Sequence, residues 1–182
     1  MRILIAEDES IIRMGLKSML QEMGHEVFAA ADGREALQLA RRFSPDLAIL
    51  DIRMPYTDGL QVAKVLDRTQ PMPILLLTAF SQQDLIDQAT ELPIQGYLVK
   101  PIQPQELSAA IAVATKRFAE TQALEADKIK LQEKLAAQKQ IDRAKGKLIE
   151  AGLSEEEAYR FLQQQARKNR RSMLEVAQAL LK

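Results

Sequence analysis

Five short apolar runs punctuate the first hundred residues, and each of the first four is followed by a longer amphipathic stretch. Arg2–Ala6 reads as a strand, and Ser10–Met23 then places Ile11, Ile12, Leu16, Met19, Leu20 and Met23 at helical spacing. Gly24 supplies the stop. Glu26–Ala30 predicts a second strand. Asp32 caps a helix carrying Ala36, Leu37, Ala40 and Phe43, which Pro45 ends. The run from Asp46 to Asp51 predicts a third strand. Met54-Pro-Tyr-Thr-Asp-Gly59 is dense in turn-forming residues, and a helix follows from Leu60 to about Arg68. Pro71-Met-Pro73 introduces a fourth strand at Ile74, a helix is predicted to begin at Ser81 or Asp84, and Gly96–Val99 makes a fifth strand. Nearly continuous apolar strands alternating with helices predict a parallel sheet covered on both faces.

From Pro104 the pattern changes. A helix without an interior Gly or Pro is predicted to about Gln138, with Leu107, Ile111, Ala114, Phe118 and Thr121 in 4-3 spacing. After a slip in phase, Leu124, Leu131 and Leu135 continue the seam. This patterning suits a helix that pairs with a second copy. A last helix of the sheet domain running on as a solvated linker is the alternative. Three short helices are predicted beyond it, at Ile141–Ala151, Ser154 to about Lys168, and Ser172–Leu181. Ser154-Glu-Glu-Glu157 has the cap and acids of a helix start. Ala144, Leu148, Ala158, Phe161, Leu162, Leu174, Ala177 and Leu180 are expected to share a small core. The expected organisation is a sheet domain at 1–119, a helical linker at 120–140 and a three-helix bundle at 141–182.

Composition narrows the function classes. The absence of cysteine excludes a disulfide framework and a thiolate metal site. No apolar run approaches the roughly 18 residues that span a bilayer, and the N-terminus enters a strand without the layout of a signal peptide. A cytoplasmic protein with no membrane contact is the expectation. The net charge of zero hides an asymmetry: residues 1–120 carry 12 Lys and Arg against 16 Asp and Glu, and residues 121–182 carry 13 against 9. An acidic first part suits a cation, and a basic second part suits a polyanion.

The chemistry-bearing residues fall at strand ends. Glu7-Asp8 follows the first strand, Asp51 ends the third, Thr78 follows Ile74-Leu-Leu-Leu77, and Lys100 follows Tyr97-Leu-Val99. Open parallel sheets place their sites at the C-terminal strand ends where the strand order reverses, and a flavodoxin-like order 2-1-3-4-5 sets Asp51 beside Glu7 and Asp8. Three carboxylates facing one lysine favour a divalent cation. Mg²⁺ prefers oxygen ligands and takes one or two carboxylates directly, here Asp8 and Asp51, with Glu7 acting through water. Asp51 is then the candidate nucleophile towards phosphorus, Lys100 offsets charge on the phosphoryl oxygens, and the Thr78 hydroxyl donates to the product.

Glu7-Asp8, Asp51 with Met54-Pro55, Thr78-Ala79, Tyr97 and Lys100-Pro101 together resemble the receiver domain of bacterial two-component response regulators over residues 1–119. The resemblance implies phosphorylation of Asp51 by a sensor histidine kinase. It also implies a Mg²⁺ site completed by the backbone carbonyl of Arg53, and a cis Lys100–Pro101 peptide. Thr78 and Tyr97 would act as a switch pair remodelling the surface around the fifth strand. A non-enzymatic phosphoryl acceptor with slow self-dephosphorylation follows. Haloacid-dehalogenase-like phosphatases also use a strand-end Asp, with a second Asp two residues on as general acid. Arg53 stands at that position, which argues against a phosphatase. His25 is the only histidine and receives no role.

In the C-terminal part, Ala144-Lys-Gly146, Ala158-Tyr159 and Ala166-Arg-Lys-Asn-Arg-Arg171 resemble the ANTAR domain from about residue 124 to the end. This implies binding to RNA hairpins in nascent transcripts and transcription antitermination. Ala144, Lys145, Gly146, Arg167, Lys168, Arg170 and Arg171 are the candidate RNA-binding residues, the cations suiting phosphates. A solvated helix face is the plainer reading of the same charges. Tyr159 is expected to pack beside Leu162, with stacking on a base as its alternative role. A DNA-binding regulator is disfavoured because Ser172–Leu181 is too apolar for a recognition helix. A protein-interaction adaptor stays open. The helical seam further suggests a homodimer, with phosphorylation able to control its assembly.

Overall fold

A computed structural model describes residues 1–79 and 94–181. Strands β1 (Arg2–Ala6), β2 (Glu26–Ala30), β3 (Leu47–Asp51), β4 (Ile74–Thr78) and β5 (Gly96–Val99) form one parallel sheet in the order β2-β1-β3-β4-β5. Helices α1 (Ser10–Glu22), α2 (Gly33–Phe43) and α3 (Gly59–Thr69) connect the strands, and α4 (Pro104–Glu150), α5 (Glu155–Asn169) and α6 (Met173–Leu181) follow. The helix predicted from Ser81 or Asp84 lies outside the described residues.

The two faces of the sheet separate along each strand with the period of two that a pleated backbone imposes. Leu4, Ala6, Ala48, Leu50, Ile74 and Leu76 pack with α2 and α3 on one face. Ile3, Ile5, Leu47, Ile49, Leu75 and Leu77 face Leu16 and Leu20 of α1 and Leu107, Ile111 and Ala114 of α4 on the other. This settles the fate of the first half of the predicted helical seam. Leu107, Ile111 and Ala114 are consumed by the sheet, so they are unavailable to a coiled coil.

Local signals set the helix ends. Asp32 accepts from Glu35 N at 2.9 Å and Asp58 from Gln61 N at 2.7 Å, each satisfying an otherwise orphan amide of the first turn. Gly24 takes φ +82°, where a side chain would be strained.

The chain divides into two compact units, Met1–Thr121 and Gln122–Lys182. The break predicted near residue 140 is absent. The helix predicted at Ile141–Ala151 is the last part of α4, which runs on unbroken to Glu150, because Gln138–Arg143 contains neither Gly nor Pro and Gly146 alone does not stop it. The helix ends at Glu150, before Gly152 at φ +103°.

In the C-terminal unit, Ala144 of α4, Leu162 and Ala166 of α5, and Val176 and Ala177 of α6 form the core, with Leu148 and Leu180 packed against it. A full capping box starts α5: Ser154 Oγ accepts from Glu157 N, and Glu157 Oε2 accepts from Ser154 N at 2.8 Å. Ser172 and Glu175 make the same reciprocal pair at α6. Three residues expected to pack in the core are displaced: Leu174 is only half-buried and lies outside the cluster, its place on α6 taken by Val176, and two aromatics are exposed. Phe161 is 37% exposed and Tyr159 is 45% exposed. The row Ala158–Leu162–Ala166 takes the inward face of α5, and both aromatics fall to its flanks.

Candidate functional site

The sheet register brings the chemistry together. β1 and β3 are neighbours, so Glu7 and Asp8, just past Ala6, sit beside Asp51, just past Leu50, the partner of Ala6. β5 delivers Lys100 one residue beyond Val99, which pairs with Thr78. Lys100 N also donates to Thr78 O at 2.9 Å, and the Lys100–Pro101 peptide is cis, as the resemblance implied.

Lys100 Nζ lies 2.9 Å from Asp51 Oδ2 and donates a hydrogen bond to it. It lies 2.7 Å from Glu7 Oε2, an ion pair whose alignment falls short of a hydrogen bond, so Glu7 Oε2 is buried without an aligned donor. Glu7 is fully buried, Asp51 nearly so, and Asp8 is exposed. Carboxylate oxygens of the three lie within 4.8 Å of one another. Burial raises the Glu7 carboxyl above its usual 4.5, and the Asp51 charge adds to this against the pull of Lys100. Burial by itself would lower the Lys100 ammonium, but its hydrogen bond to Asp51 and its close ion pair with Glu7 outweigh burial and raise it above its usual 10.5.

Three carboxylates converging on a single lysine, two of them buried, fit a hard divalent cation with oxygen ligands. An open cavity of about 470 Å³ adjoins the cluster, bordered by Asp8, Arg53, Met54, Pro55 and Asp58. Arg53 N points towards Asp51 Oδ1 at a long 3.4 Å. Thr78 is buried, its Oγ1 donating to Ala79 O at 3.0 Å. Tyr97 is half-buried against the α2–α3 side of the sheet.

Two contributors to the site carry no sequence motif. Arg13 of α1 donates to Glu7 O at 2.6 Å and to Asp8 O at 3.0 Å, fixing the backbone that presents both acids. Its distance along the chain from those acids suggests no such pairing. Gly59 sits where an added Cβ would meet Asp51 O at 2.0 Å, so α3 can start against the end of β3 only if this residue lacks a side chain. Its N–H donates to Ile52 O at 3.1 Å.

Glu7 provides a pH test. A proton on its raised carboxyl competes with any cation. The contribution of this group to ion-free stability is present at low pH and is lost as pH rises through its elevated folded value. Mg²⁺ affinity is therefore expected to fall on acidification, starting above the usual carboxylate range, with proton release on binding. Calorimetry across pH in buffers of different ionisation enthalpy reads both; pH-independent affinity would contradict a role for Glu7.

In the C-terminal unit the sequence candidates part ways. Ala144 is fully buried in the core and is a packing residue, so it cannot touch RNA directly. Lys145 pairs with Asp142 at 3.2 Å and Glu155 at 3.3 Å, which raises its ammonium and ties α4 to the start of α5. Gly146 lies within α4 with open space where a Cβ would go. Arg167, Lys168, Arg170 and Arg171 are all exposed. Arg170 occupies the left-handed cap of α5 at φ +52°, where Gly is the usual residue.

Comparison with known proteins follows the same division. A parallel sheet of this order, with acids and a lysine at its C-terminal edge, defines a receiver domain, and the family model for the response regulator receiver domain matches residues 3–112. The ANTAR domain model matches residues 130–181. The chain is 43% identical over 182 residues to the transcriptional regulatory protein PdtaR of Mycobacterium tuberculosis, covering 99% of this chain and 89% of that protein. Among solved structures, a response regulator receiver domain protein from Clostridium thermocellum is 32% identical with TM-score 0.60, covering 64% of this chain and 94% of that one. The chemotaxis response regulator CheY4 of Vibrio cholerae is also 32% identical, with TM-score 0.58 over 62% of this chain and 97% of that one. The chain belongs to the response regulators, joining a receiver domain to an ANTAR domain. No described helix is long and apolar enough to cross a membrane.

Proposed function

We propose that this protein is a cytoplasmic phosphorylation switch in which Asp51 accepts a phosphoryl group from a sensor histidine kinase and the C-terminal unit answers by binding RNA hairpins in nascent transcripts. The observation that supports it best is the convergence of Glu7, Asp8, Asp51 and Lys100 at three strand ends, with Lys100 Nζ within 2.9 Å of both buried acids. An Asp51 carboxylate oxygen attacks the phosphorus in line, forming an acyl-phosphate O–P bond as the N–P bond to the kinase histidine breaks. Lys100, already on the Asp51 carboxylate, moves its charge to a phosphoryl oxygen. The Thr78 hydroxyl exchanges its bond to Ala79 O for one to the phosphoryl group, and Tyr97 follows into the space vacated. Glu7, Asp8, Asp51 and the Arg53 carbonyl are the groups that would hold Mg²⁺, which when bound offsets the charge developing on the phosphoryl oxygens. The acyl phosphate hydrolyses slowly, and the protein is not otherwise an enzyme.

Leu124, Leu131 and Leu135 of α4 are exposed, Leu131 by 69%, although each is a large apolar residue. Pairing of this segment with a second copy would bury them and bring two RNA-binding units together. Residues 1–119 would serve as input, 120–140 as connector and 141–182 as output, with the exposed cations Arg167, Lys168, Arg170 and Arg171 on RNA phosphates. Lys145 and Gly146 would shape the α4–α5 corner of the same surface.

Gel-shift titration with hairpin RNA, before and after acetyl phosphate with Mg²⁺, tests the output, and light scattering on the same samples reads assembly. Phosphorylation is expected to raise hairpin affinity by about tenfold or more through bivalent binding. Negligible hairpin binding in both states would overturn the RNA assignment, and preference for duplex DNA would replace it.

A further inference from the structure

The face of the C-terminal unit between α5 and α6 carries an open cleft of about 380 Å³. Its lining is of two kinds. Phe161, Val176 and Leu180 are apolar, and Gln165, Asn169 and Arg171 are polar. Phe161, Gln165 and Asn169 follow one another at intervals of four, so they form a single row along α5. Leu162, next to Phe161, already supplies the core contact, which leaves the phenyl ring partly in solvent at the cleft. Asn169 Nδ2 donates to Gln165 Oε1 at 3.4 Å. That bond holds the two amides together and leaves the Gln165 nitrogen as donor and the Asn169 oxygen as acceptor, a complementary pair for a ligand edge. Arg171 adds positive charge at the lining, and Arg167, Lys168 and Arg170 are exposed in the same five-residue stretch.

An aromatic face with an amide donor beside an amide acceptor in one row, and a cation at the lining of the same cleft, select a ligand with a planar ring, a polar edge and a nearby negative charge. A base splayed out of a phosphate chain has all three. An aliphatic peptide side chain lacks the edge and the charge. We propose that this cleft receives one unstacked nucleobase from the loop of the RNA hairpin. The base stacks on Phe161, its edge pairs with Gln165 and Asn169, and Arg171 takes the adjoining phosphate. The proposal rests on the RNA-binding reading of this unit and deepens it, because it makes one loop position a point of sequence readout and not merely of charge attraction.

The full-length chain, treated with acetyl phosphate and Mg²⁺ and in parallel left untreated, is first used to select tight binders from a pool of RNA hairpins with randomised loops. The selected hairpin is then remade with a single abasic site at each loop position in turn. Phe161→Ala is expected to weaken binding roughly ten- to hundredfold, the range for loss of a stacked base, with Phe161→Tyr close to wild type. Its salt dependence is expected to keep the wild-type slope, whereas Arg171→Ala flattens that slope. At one loop position the abasic hairpin is expected to lose the same factor with wild type and nothing further with Phe161→Ala. Gln165→Ala, a change at the helix surface, gives a second reading that does not touch the apolar wall, and circular dichroism checks that each variant is folded. If wild type selects no hairpin, the RNA reading itself falls and the cleft proposal with it. If wild type binds a hairpin while folded Phe161→Ala and Gln165→Ala bind it equally well, or no abasic position couples to Phe161, the cleft proposal alone is overturned.

Discussion

Asp51→Asn is expected to abolish phosphoryl uptake completely, read by intact mass after incubation with acetyl phosphate and Mg²⁺. The amide keeps the size and shape of the carboxylate but has no anionic oxygen to attack phosphorus. The fold is expected to survive, and the reason lies in the charges. Asp51 helps to push the Glu7 carboxyl up, so removing its charge relieves a repulsion between two buried acids. Lys100 loses one partner yet keeps Glu7 at 2.7 Å. Urea unfolding of the ion-free variant should therefore match wild type within about 1 kcal/mol, the scale of one hydrogen bond. Any phosphorylation-dependent change in hairpin affinity or mass should vanish with it. Uptake persisting in Asp51→Asn would move the acceptor to another carboxylate, with exposed Asp8 the first to examine.

Gly59→Ala is expected to damage the same site from behind. The new methyl carbon would stand 2.0 Å from Asp51 O and 2.9 Å from its carbonyl carbon, and both are backbone atoms of a central strand. No side-chain rotation relieves such a contact, so either α3 withdraws or β3 bends. Overpacking of this kind costs about 2–3 kcal/mol. Either movement also shifts Ile52 and Arg53, because Gly59 N donates to Ile52 O. A lower unfolding midpoint together with slower uptake from acetyl phosphate is the expected pair of results. A lower midpoint with unchanged uptake would mean that Asp51 holds its place independently of the helix behind it. An unchanged midpoint would mean the backbone yields at little cost.

The two variants separate what a sequence can say about a site from what it cannot. Asp51 was legible because a carboxylate at the end of a wholly apolar run is chemically out of place, and Glu7, Asp8 and Lys100 stood at matching positions on neighbouring strands. Gly59 was legible only as a turn residue. Its closeness to Asp51 O depends on the angle at which α3 leaves the sheet. Arg13 was not legible at all, since a bond to two backbone carbonyls requires no particular partner residue type. In the C-terminal unit, Ala144, Lys145 and Gly146 are three consecutive residues of one motif with three different fates. One is buried, one is ion-paired, and one faces open space, because successive residues on a helix point about 100° apart.

Periodicity and strand-end chemistry by themselves determined the five strands of the sheet and the residues that converge as its acidic cluster. Both are written in local composition: apolar runs make strands, caps start helices, and acids at the ends of buried runs announce a site. Only the tertiary structure decided how the long helix divides its apolar positions. Leu107, Ile111 and Ala114 satisfy the sheet, and Leu124, Leu131 and Leu135 are left exposed. It alone decided that Phe161 borders a cleft and leaves the core to Leu162. A one-dimensional pattern records which residues avoid water but not which neighbour relieves them of it. That choice belongs to whichever surface arrives opposite, and in this chain the arriving surfaces lie far away in sequence.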